Sequence, residues 1–271
     1  MESLFTIITP EKESVPIIVS IPHCGRTFPP ELTSHYKQEL AENPDDTDFF
    51  VDDLYDFLPE MGITTICANY SRWVIDLNRS SKNEALYDDG RIITHLTPTT
   101  NFLGDSIYAN PVFEPKRKEI ERRTKYYYQP YYDKITQLLQ AAKAQFGQAI
   151  LWDAHSIRRQ VPTIHSEPFP DLILGTNDGQ TAATDLIQVV KNSLSNSAYE
   201  LSDNYPFKGG NITRHFGNPS ANIHTFQLEM AKDVYMDDTE TAYHPKRAAK
   251  IKATLINTFE TLISAIKNGK K

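Results

Sequence analysis

Two histidines follow apolar runs that are typical of buried strands. His23 comes after Ile-Ile-Val-Ser-Ile-Pro, and His155 comes after Ile-Leu-Trp-Asp-Ala. Because the carboxyl ends of strands form the ligand crevice of an open α/β sheet, both imidazoles are expected there. An acidic cluster of Asp45, Asp46 and Asp48 opens a predicted helix. Two histidines and one carboxylate predict a catalytic zinc site with one position left for water, and two structural histidines are the alternative.

Two further acids lie near the ends of apolar runs. Asp153 is two residues before His155, so both side chains point to the same face of a strand, where Asp153 could orient the imidazole. Glu229 ends the run Thr-Phe-Gln-Leu-Glu. A carboxylate beside a metal-bound water would act there as general base and later as general acid. A backbone-bound Asp153 and a salt-bridged Glu229 are the structural alternatives.

Amide and basic side chains that could hold an anion follow other apolar runs. Asn78 and Arg79 end the run Trp-Val-Ile-Asp-Leu, and the planar fork of arginine matches a carboxylate. Pairing of Arg79 with Asp76 is the alternative. A Gly-Gly pair at 209–210 predicts a turn that would bring backbone amides and Arg214 near an anion, although paired glycines alone mark only a turn.

The elements that must position these residues alternate between β-rich runs and helical patterns, which predicts an α/β fold with a mostly parallel or mixed sheet in one domain over residues 1–271. Predicted strands are 17–21, 64–68, 73–77, 149–154, 171–174, 212–215 and 225–230. Predicted helices are 47–58, 115–145 with an interruption at Pro130, 181–194 and 245–267. The last helix is expected to bury Ile251, Leu255, Phe259, Leu262 and Ile266 on one stripe.

Composition and charge restrict the class of partner. Hydrophobic residues make up 39% of the 271 residues, enough for a substantial core. The formal net charge of -7 gives no field that attracts nucleic acid or an anionic membrane. Residues 116–132 mix bases with tyrosines, as a single-stranded nucleic-acid groove would, but Glu119 and Glu121 interleave at helical spacing and favour a solvated helix face.

Cellular location is predicted from what the sequence contains at its start and from its cysteines. An acid follows Met1 where a secretory signal needs bases, and the first apolar stretch stops at Pro10. Two cysteines, Cys24 and Cys67, do not resemble a secreted disulfide framework. With no apolar run long enough to span a bilayer, we expect a cytoplasmic protein without membrane contact.

Strings spread over nearly the whole chain resemble a known family, the N-formylglutamate amidohydrolases or formylglutamate deformylases. The matching strings are Ile21-Pro22-His23-Cys24-Gly25, Asp46-Thr47-Asp48, Asn69-Tyr70-Ser71-Arg72, Asn78-Arg79, Trp152-Asp153-Ala154-His155, Lys208-Gly209-Gly210, Thr213-Arg214-His215 and Gln227-Leu228-Glu229-Met230. The resemblance implies a zinc-exopeptidase-type fold, a three-layer α/β/α sandwich around a mixed, largely parallel sheet. It also implies hydrolysis of N-formyl-L-glutamate to formate and L-glutamate, a step of histidine degradation.

The resemblance also implies roles for individual residues. His23 and His155 match the two metal histidines, Asp46 best matches the acidic zinc ligand with Asp48 as the alternative, and Glu229 matches the catalytic glutamate. Asn78 resembles the carboxylate-binding asparagine beside Arg79. Because the implied substrate is a dianionic N-acyl amino acid, it needs cationic partners, and the candidates are Arg79, Arg158 and Arg214.

One departure from the family and two other functions stay open at this point. Family members commonly carry serine where this chain has Cys24, which keeps a nucleophilic thiol as an alternative to zinc chemistry. A different N-acyl amino acid or a peptide amide could be the substrate on the same fold. A non-catalytic binding protein of this fold is the third reading, although it would be expected to have lost the metal residues.

Overall fold

Seven strands form one mixed sheet in the part of the chain that the computed structural model describes, residues 3–43, 45–82 and 95–268. The strands are β1 (Phe5–Ile8), β2 (Ile17–Ile21), β3 (Thr64–Ala68), β4 (Ala149–Ile157), β5 (Leu172–Gly175), β6 (Leu201–Asp203) and β7 (Ile223–Ala231). Their order is β1-β3-β2-β4-β7-β5-β6. β1 and β5 run antiparallel to their neighbours β3 and β7, and the other pairs are parallel.

Helices cover both faces of this sheet. They are α1 (Pro30–Thr33), α2 (Gln38–Ala41), α3 (Val51–Leu54), α4 (Arg117–Arg123), α5 (Gln129–Phe146), α6 (Thr184–Ser195), α7 (Asn211–Phe216) and α8 (Pro245–Asn268). A π-helical turn, Thr124–Tyr128, joins α4 to α5. Short 3₁₀ turns are Pro59–Met61, Pro111–Phe113, Pro219–Ala221 and Lys232–Val234. None of the helices in the described ranges is long and apolar enough to cross a membrane.

Alternate residues of the central strands divide the core into two layers. Val19 of β2 packs with α3, α6 and α8, whereas Ile18 packs with α5 and α7 on the other face. All nine residues of β4 are buried, which is why its sequence is continuously apolar except at the site. The predicted stripe of α8 is fully buried against the first layer. The predicted α/β class, with a mixed and largely parallel sheet between helices, is confirmed.

Two predicted strands are wrong. Residues 73–77 form consecutive turns, because the Ser71 hydroxyl accepts from the Trp73 amide and the Asp76 carboxylate accepts from the Asn78 amide. Residues 212–215 belong to α7 despite their β-branched side chains. There the Ile212 amide donates to the side-chain oxygen of Asn78, so a tertiary contact overrides local preference.

Two predicted helices are modified. Residues 47–58 hold only the single turn α3, because Phe50 lies in the left-handed region at φ 64° and stops a helix from starting earlier. The long helix predicted over 115–145 is interrupted by the π-helical turn just before Pro130. The antiparallel edge strand β1 and the strand β6 were not predicted, since they are only four and three residues long.

A buried arginine fixes the turns at residues 71–79 that carry several site residues. Arg123 is fully buried, and its guanidinium donates to the Val74 carbonyl and to the hydroxyls of Tyr36 and Tyr108 at 3.0–3.1 Å. Glu119 accepts from its Nε at 2.8 Å. A guanidinium presents donors in a planar fork, so one side chain can hold a segment that has no strand or helix of its own.

Candidate active site

Three adjacent parallel strands bring the candidate residues to one edge of the sheet. His23 follows β2, His155 is the seventh residue of β4, and Glu229 is the seventh residue of β7. The register pairs His155 directly with Glu229. The structure therefore places both histidines and the glutamate at the carboxyl ends of neighbouring strands, where the sequence predicted a ligand crevice.

A buried His–Asp–His group lies at this edge. Among the described residues, His23, Asp48 and His155 form the one group whose ligand atoms are mutually close enough to hold a metal ion, all within 4.8 Å. Nδ1 of His155 is 3.0 Å from Oδ2 of Asp48, and Nδ1 of His23 is 3.8 Å from the same oxygen. His23 Nδ1 is buried without a hydrogen-bond partner. A buried nitrogen left unpaired fits a site made for a cation.

Two carboxylates orient the imidazoles from behind. His23 Nε2 is 2.8 Å from Oδ1 of Asp76, and His155 Nε2 is 3.0 Å from Oδ2 of Asp153. With Nε2 donating to a carboxylate, each ring turns its Nδ1 toward Asp48, which is the orientation of metal-binding histidines. Arg72, itself buried, holds the other oxygen of Asp76 at 2.6 Å.

The two aspartates of the Asp-Thr-Asp string point in different directions. Asp46 accepts from the indole nitrogen of Trp73 and from the Phe102 amide, both at 2.9 Å. Its two oxygens are thereby used within the protein. Asp48 is the acid beside the histidines, and its Oδ2 also accepts from the Ser156 amide at 3.2 Å. The geometry therefore replaces Asp46 with Asp48 as the candidate acidic ligand.

Burial and neighbouring charges shift the titration of this cluster. Burial and the nearby Arg72 lower the pKa of His23 to about 4. Burial also opposes the charged form of His155, but Asp153 and Asp48 outweigh it and raise its pKa. Burial would raise the pKa of Asp48, yet the two histidines and Arg72 lower it overall. Asp48 therefore favours its ionised form, as an acidic metal ligand must.

Glu229 differs from the other acids of the site. Burial of its carboxyl, together with the charges of Asp48 and Asp153, raises its pKa to about 8 against the opposing effect of His155 and Arg72. The Gln227 amide donates to Oε2 of Glu229 at 3.5 Å, a long hydrogen bond that holds the carboxyl only weakly. A carboxyl group with a pKa near neutrality can both take up and release a proton, as an acid–base catalyst must.

Asn78 is engaged within the protein. Its Nδ2 lies 3.1 Å from His155 Nε2, and its Oδ1 accepts from the Ile212 amide at 2.8 Å. A side chain on Gly210 would clash, since an added Cβ would lie 2.2 Å from Asn78 Nδ2. The lack of a side chain at Gly210 lets the backbone approach Asn78 closely. This close approach explains the Gly-Gly pair without a bound anion.

The three candidate arginines have different surroundings. Arg79 is one-fifth exposed, with its guanidinium 3.9 Å from Asp76 and donating to the Asn78 carbonyl. Arg214 donates to the Gly209 carbonyl and lines a cavity of about 470 Å³ with Lys82. Arg158 donates to Asp45 at 2.6 Å and lies 3.3 Å from Glu240, so two acids balance its charge.

The thiol alternative finds no support in the geometry. Cys24 and Cys67 are both free and buried. The Cys24 thiol donates to the carbonyls of Ile21 and Ala68 at 3.3–3.4 Å. Its hydrogen bond with Cys67 and its burial raise its pKa well above the ordinary value, so the nucleophilic thiolate is disfavoured.

Sequence reasoning missed the second carboxylate behind the histidines. The sequence predicts Asp76 only as a partner for Arg79, and it gives no site role to the buried Arg72 behind it. A signal was present, because Asp76 is a single acid within an otherwise apolar run, and a buried acid needs a partner. The run resembled a strand, and a strand would not have turned that acid toward His23.

A buried His–Asp–His group with carboxylates behind both rings and a glutamate at its side defines a metal-dependent hydrolase type of site. Residues 15–236 match the family model described as N-formylglutamate amidohydrolase. The chain belongs to the N-formylglutamate amidohydrolase family, and this resemblance is confirmed.

Two named relatives and one solved structure are similar to this chain over most of its length. A Pseudomonas aeruginosa protein named N-formylglutamate deformylase is 36% identical over 262 residues, covering 95% of this chain and 96% of its own length. A Pseudomonas putida protein of the same name is 36% identical over 227 residues, covering 83% and 84%. The crystal structure of N-formylglutamate amidohydrolase from Ralstonia eutropha has a TM-score of 0.81 at 25% identity and covers 98% of this chain and 99% of its own.

Proposed function

We propose that this chain hydrolyses N-formyl-L-glutamate to formate and L-glutamate with a divalent cation, zinc, held by His23, Asp48 and His155. The observation that carries the proposal is the buried His–Asp–His group beside Glu229. The family match and the two relatives named N-formylglutamate deformylase support the substrate. A cytoplasmic location stays a prediction from the sequence.

The three proposed ligands fit zinc by donor type and by number. Two imidazole nitrogens and one carboxylate oxygen leave a fourth position open, as catalytic zinc sites require. When bound, zinc supplies Lewis acidity to a carbonyl oxygen and lowers the pKa of water. Asp76 and Asp153 contact Nε2 of the two imidazoles and so leave Nδ1 of each ring facing the proposed metal position.

Glu229 is proposed as the group that moves the proton. It takes a proton from the attacking water, and it returns that proton to the amine that leaves as formate is released. Its pKa near 8 in the protein is suited to both steps near neutral pH. Arg72 lies close enough to Glu229 to favour the ionised carboxyl, which the first step needs.

Arg79 and Arg214 are proposed to bind the carboxylates of the substrate. The Arg79 guanidinium lies 3.9 Å from Asp76, the carboxylate that contacts His23 of the proposed zinc site. Arg214 belongs to α7, which Asn78 anchors through the Ile212 amide. Asn78 and Arg158 are proposed to shape the site instead, since Asn78 is bound to His155 and α7, and Arg158 is paired with two acids.

Hydrolysis of a matched substrate series tests this function. We expect N-formyl-L-glutamate to have the highest kcat/KM, followed by large losses for N-acetyl-L-glutamate, N-succinyl-L-glutamate and N-formyl-L-alanine. Release of formate or glutamate is the measurement. A higher kcat/KM for the acetyl or succinyl compound would assign the chain to another deacylase reaction, and binding of all four without hydrolysis would make it a binding protein.

Replacing Arg79 with alanine should mainly raise KM for N-formyl-L-glutamate, by about 10–100-fold, because a charge-assisted contact to a carboxylate is lost. Substrates in which one carboxylate is an amide should lose less, and the one least affected identifies the carboxylate that Arg79 binds. Arg117→Ala is the control, since Arg117 is exposed and paired with Glu121 on α4. Equal losses for the charged and amidated substrates would contradict the role.

A further inference from the structure

A buried lysine lies beneath the loop that carries Asp48. Lys232 begins the 3₁₀ turn after β7, three residues beyond Glu229, and it is 2% exposed. Its Nζ donates to the Asp45 carbonyl at 2.9 Å and lies 5.6 Å from the centre of the Phe49 ring. No carboxylate forms an ion pair with it among the residues described. Burying an ammonium group without a carboxylate partner costs folding free energy, which points to a role of this contact in the site.

A second side chain of the same turn holds the other end of that loop. Tyr235, fully buried, donates its hydroxyl proton to the Phe49 carbonyl at 2.8 Å and accepts from the Ser156 hydroxyl at 2.8 Å. Residues 45–49, here named the acid loop, are thus tied at the Asp45 end by Lys232 and at the Phe49 end by Tyr235. Asp48 lies between the two ties.

The direction in which the Asp48 carboxylate points depends on where these two contacts, from Lys232 and Tyr235, hold the acid loop. The Asp48 amide donates to the His23 carbonyl at 3.0 Å, and its carboxylate accepts from the Ser156 amide. Ser156 follows His155 on β4, and the turn holding the loop follows Glu229 on β7. Lys232 and Tyr235 therefore link the acid loop to β4 and β7, the strands that carry His155 and Glu229.

We infer that Lys232 is a positioning residue that, together with Tyr235, holds the acid loop so that Asp48 faces His23 and His155 as a metal ligand. This inference rests on the proposed zinc site. Groups that orient a ligand from behind typically change metal affinity by 10–100-fold when they are removed. Loss of either tie should therefore weaken zinc binding without removing a ligand.

The test compares Lys232→Met, which keeps the unbranched stem but removes the ammonium, with Tyr235→Phe, which removes one hydroxyl. Lys191→Met is the matched control, because Lys191 pairs with Asp203 between α6 and β6. Zinc dissociation constants are measured by competition with a chromophoric chelator, and the visible absorption of the cobalt-loaded proteins reports ligand geometry. Thermal unfolding of the metal-free proteins measures any purely structural effect.

We expect the zinc dissociation constant to rise about 10–100-fold in Lys232→Met and Tyr235→Phe, with altered cobalt absorption, and to stay unchanged in Lys191→Met. Constants within twofold of the wild-type value, with only a lower unfolding temperature, would overturn the inference and leave the proposed function intact. If Lys232→Met does not fold, the zinc dissociation constant of Tyr235→Phe decides: a rise of about 10–100-fold supports the inference, and a value within twofold of wild type overturns it. Wild-type protein that binds no zinc would overturn both the metal site and this inference.

Discussion

Replacing Glu229 with glutamine is expected to lower kcat by about 10²–10⁴-fold while zinc stays bound. Glutamine keeps the size and shape of the side chain but cannot take a proton from water or return one to the leaving amine. Glu229 does not belong to the His–Asp–His group, so the proposed ligands are untouched. The loss should therefore appear in kcat, with a small change in KM.

Steady-state rates of formate release and metal analysis of the same preparations measure the two parts of this result. Glu260→Gln is the control, because Glu260 is an exposed residue of α8. A kcat near the wild-type value in Glu229→Gln would show that another group moves the proton. Loss of zinc in that variant would instead show that Glu229 is a ligand.

Replacing Asp48 with asparagine should weaken zinc binding by more than about 10²-fold, beyond what loss of a supporting contact causes. The amide is a poorer and uncharged ligand, and Asp48 is the acid that the structure places beside the two histidines. Asp46→Asn should leave zinc affinity nearly unchanged. It should lower the free energy of unfolding by about 1–3 kcal/mol, because the bonds to Trp73 and Phe102 are weakened.

Chelator competition gives the zinc affinities of the two variants, and urea unfolding of the metal-free proteins gives their stabilities. The pair is informative because the two aspartates are separated by one residue and differ only in what they contact. Zinc lost from Asp46→Asn and kept by Asp48→Asn would contradict the assignment and restore Asp46 as the acidic ligand.

The positions of the histidines could be predicted because a strand end fixes where a residue lies. The apolar runs before His23 and His155 are buried strands, and neighbouring parallel strands end at the same edge of the sheet. The mixed sheet between helices follows from the same continuous apolar runs. In these elements local sequence and tertiary structure agree.

The choice between Asp46 and Asp48 could not be made from the sequence, because both lie in a loop without a repeating geometry. The Trp73 indole and the Phe102 amide, distant along the chain, turn Asp46 away from the histidines. The misassigned strand at 73–77 has the same origin. Its turns depend on Arg123, which donates to the Val74 carbonyl from a helix nearly 50 residues further along the chain.

Hydrolysis of N-formyl-L-glutamate by metal-stripped and reloaded protein tests the site of His23, Asp48 and His155 most directly. After dialysis against a chelator, formate release should fall to the uncatalysed background, and one equivalent of zinc should restore it. His155→Ala, which keeps two of the three ligands, should not recover under the same conditions, because two ligands hold zinc poorly. A full rate in protein shown by metal analysis to be free of metal would contradict the proposed mechanism.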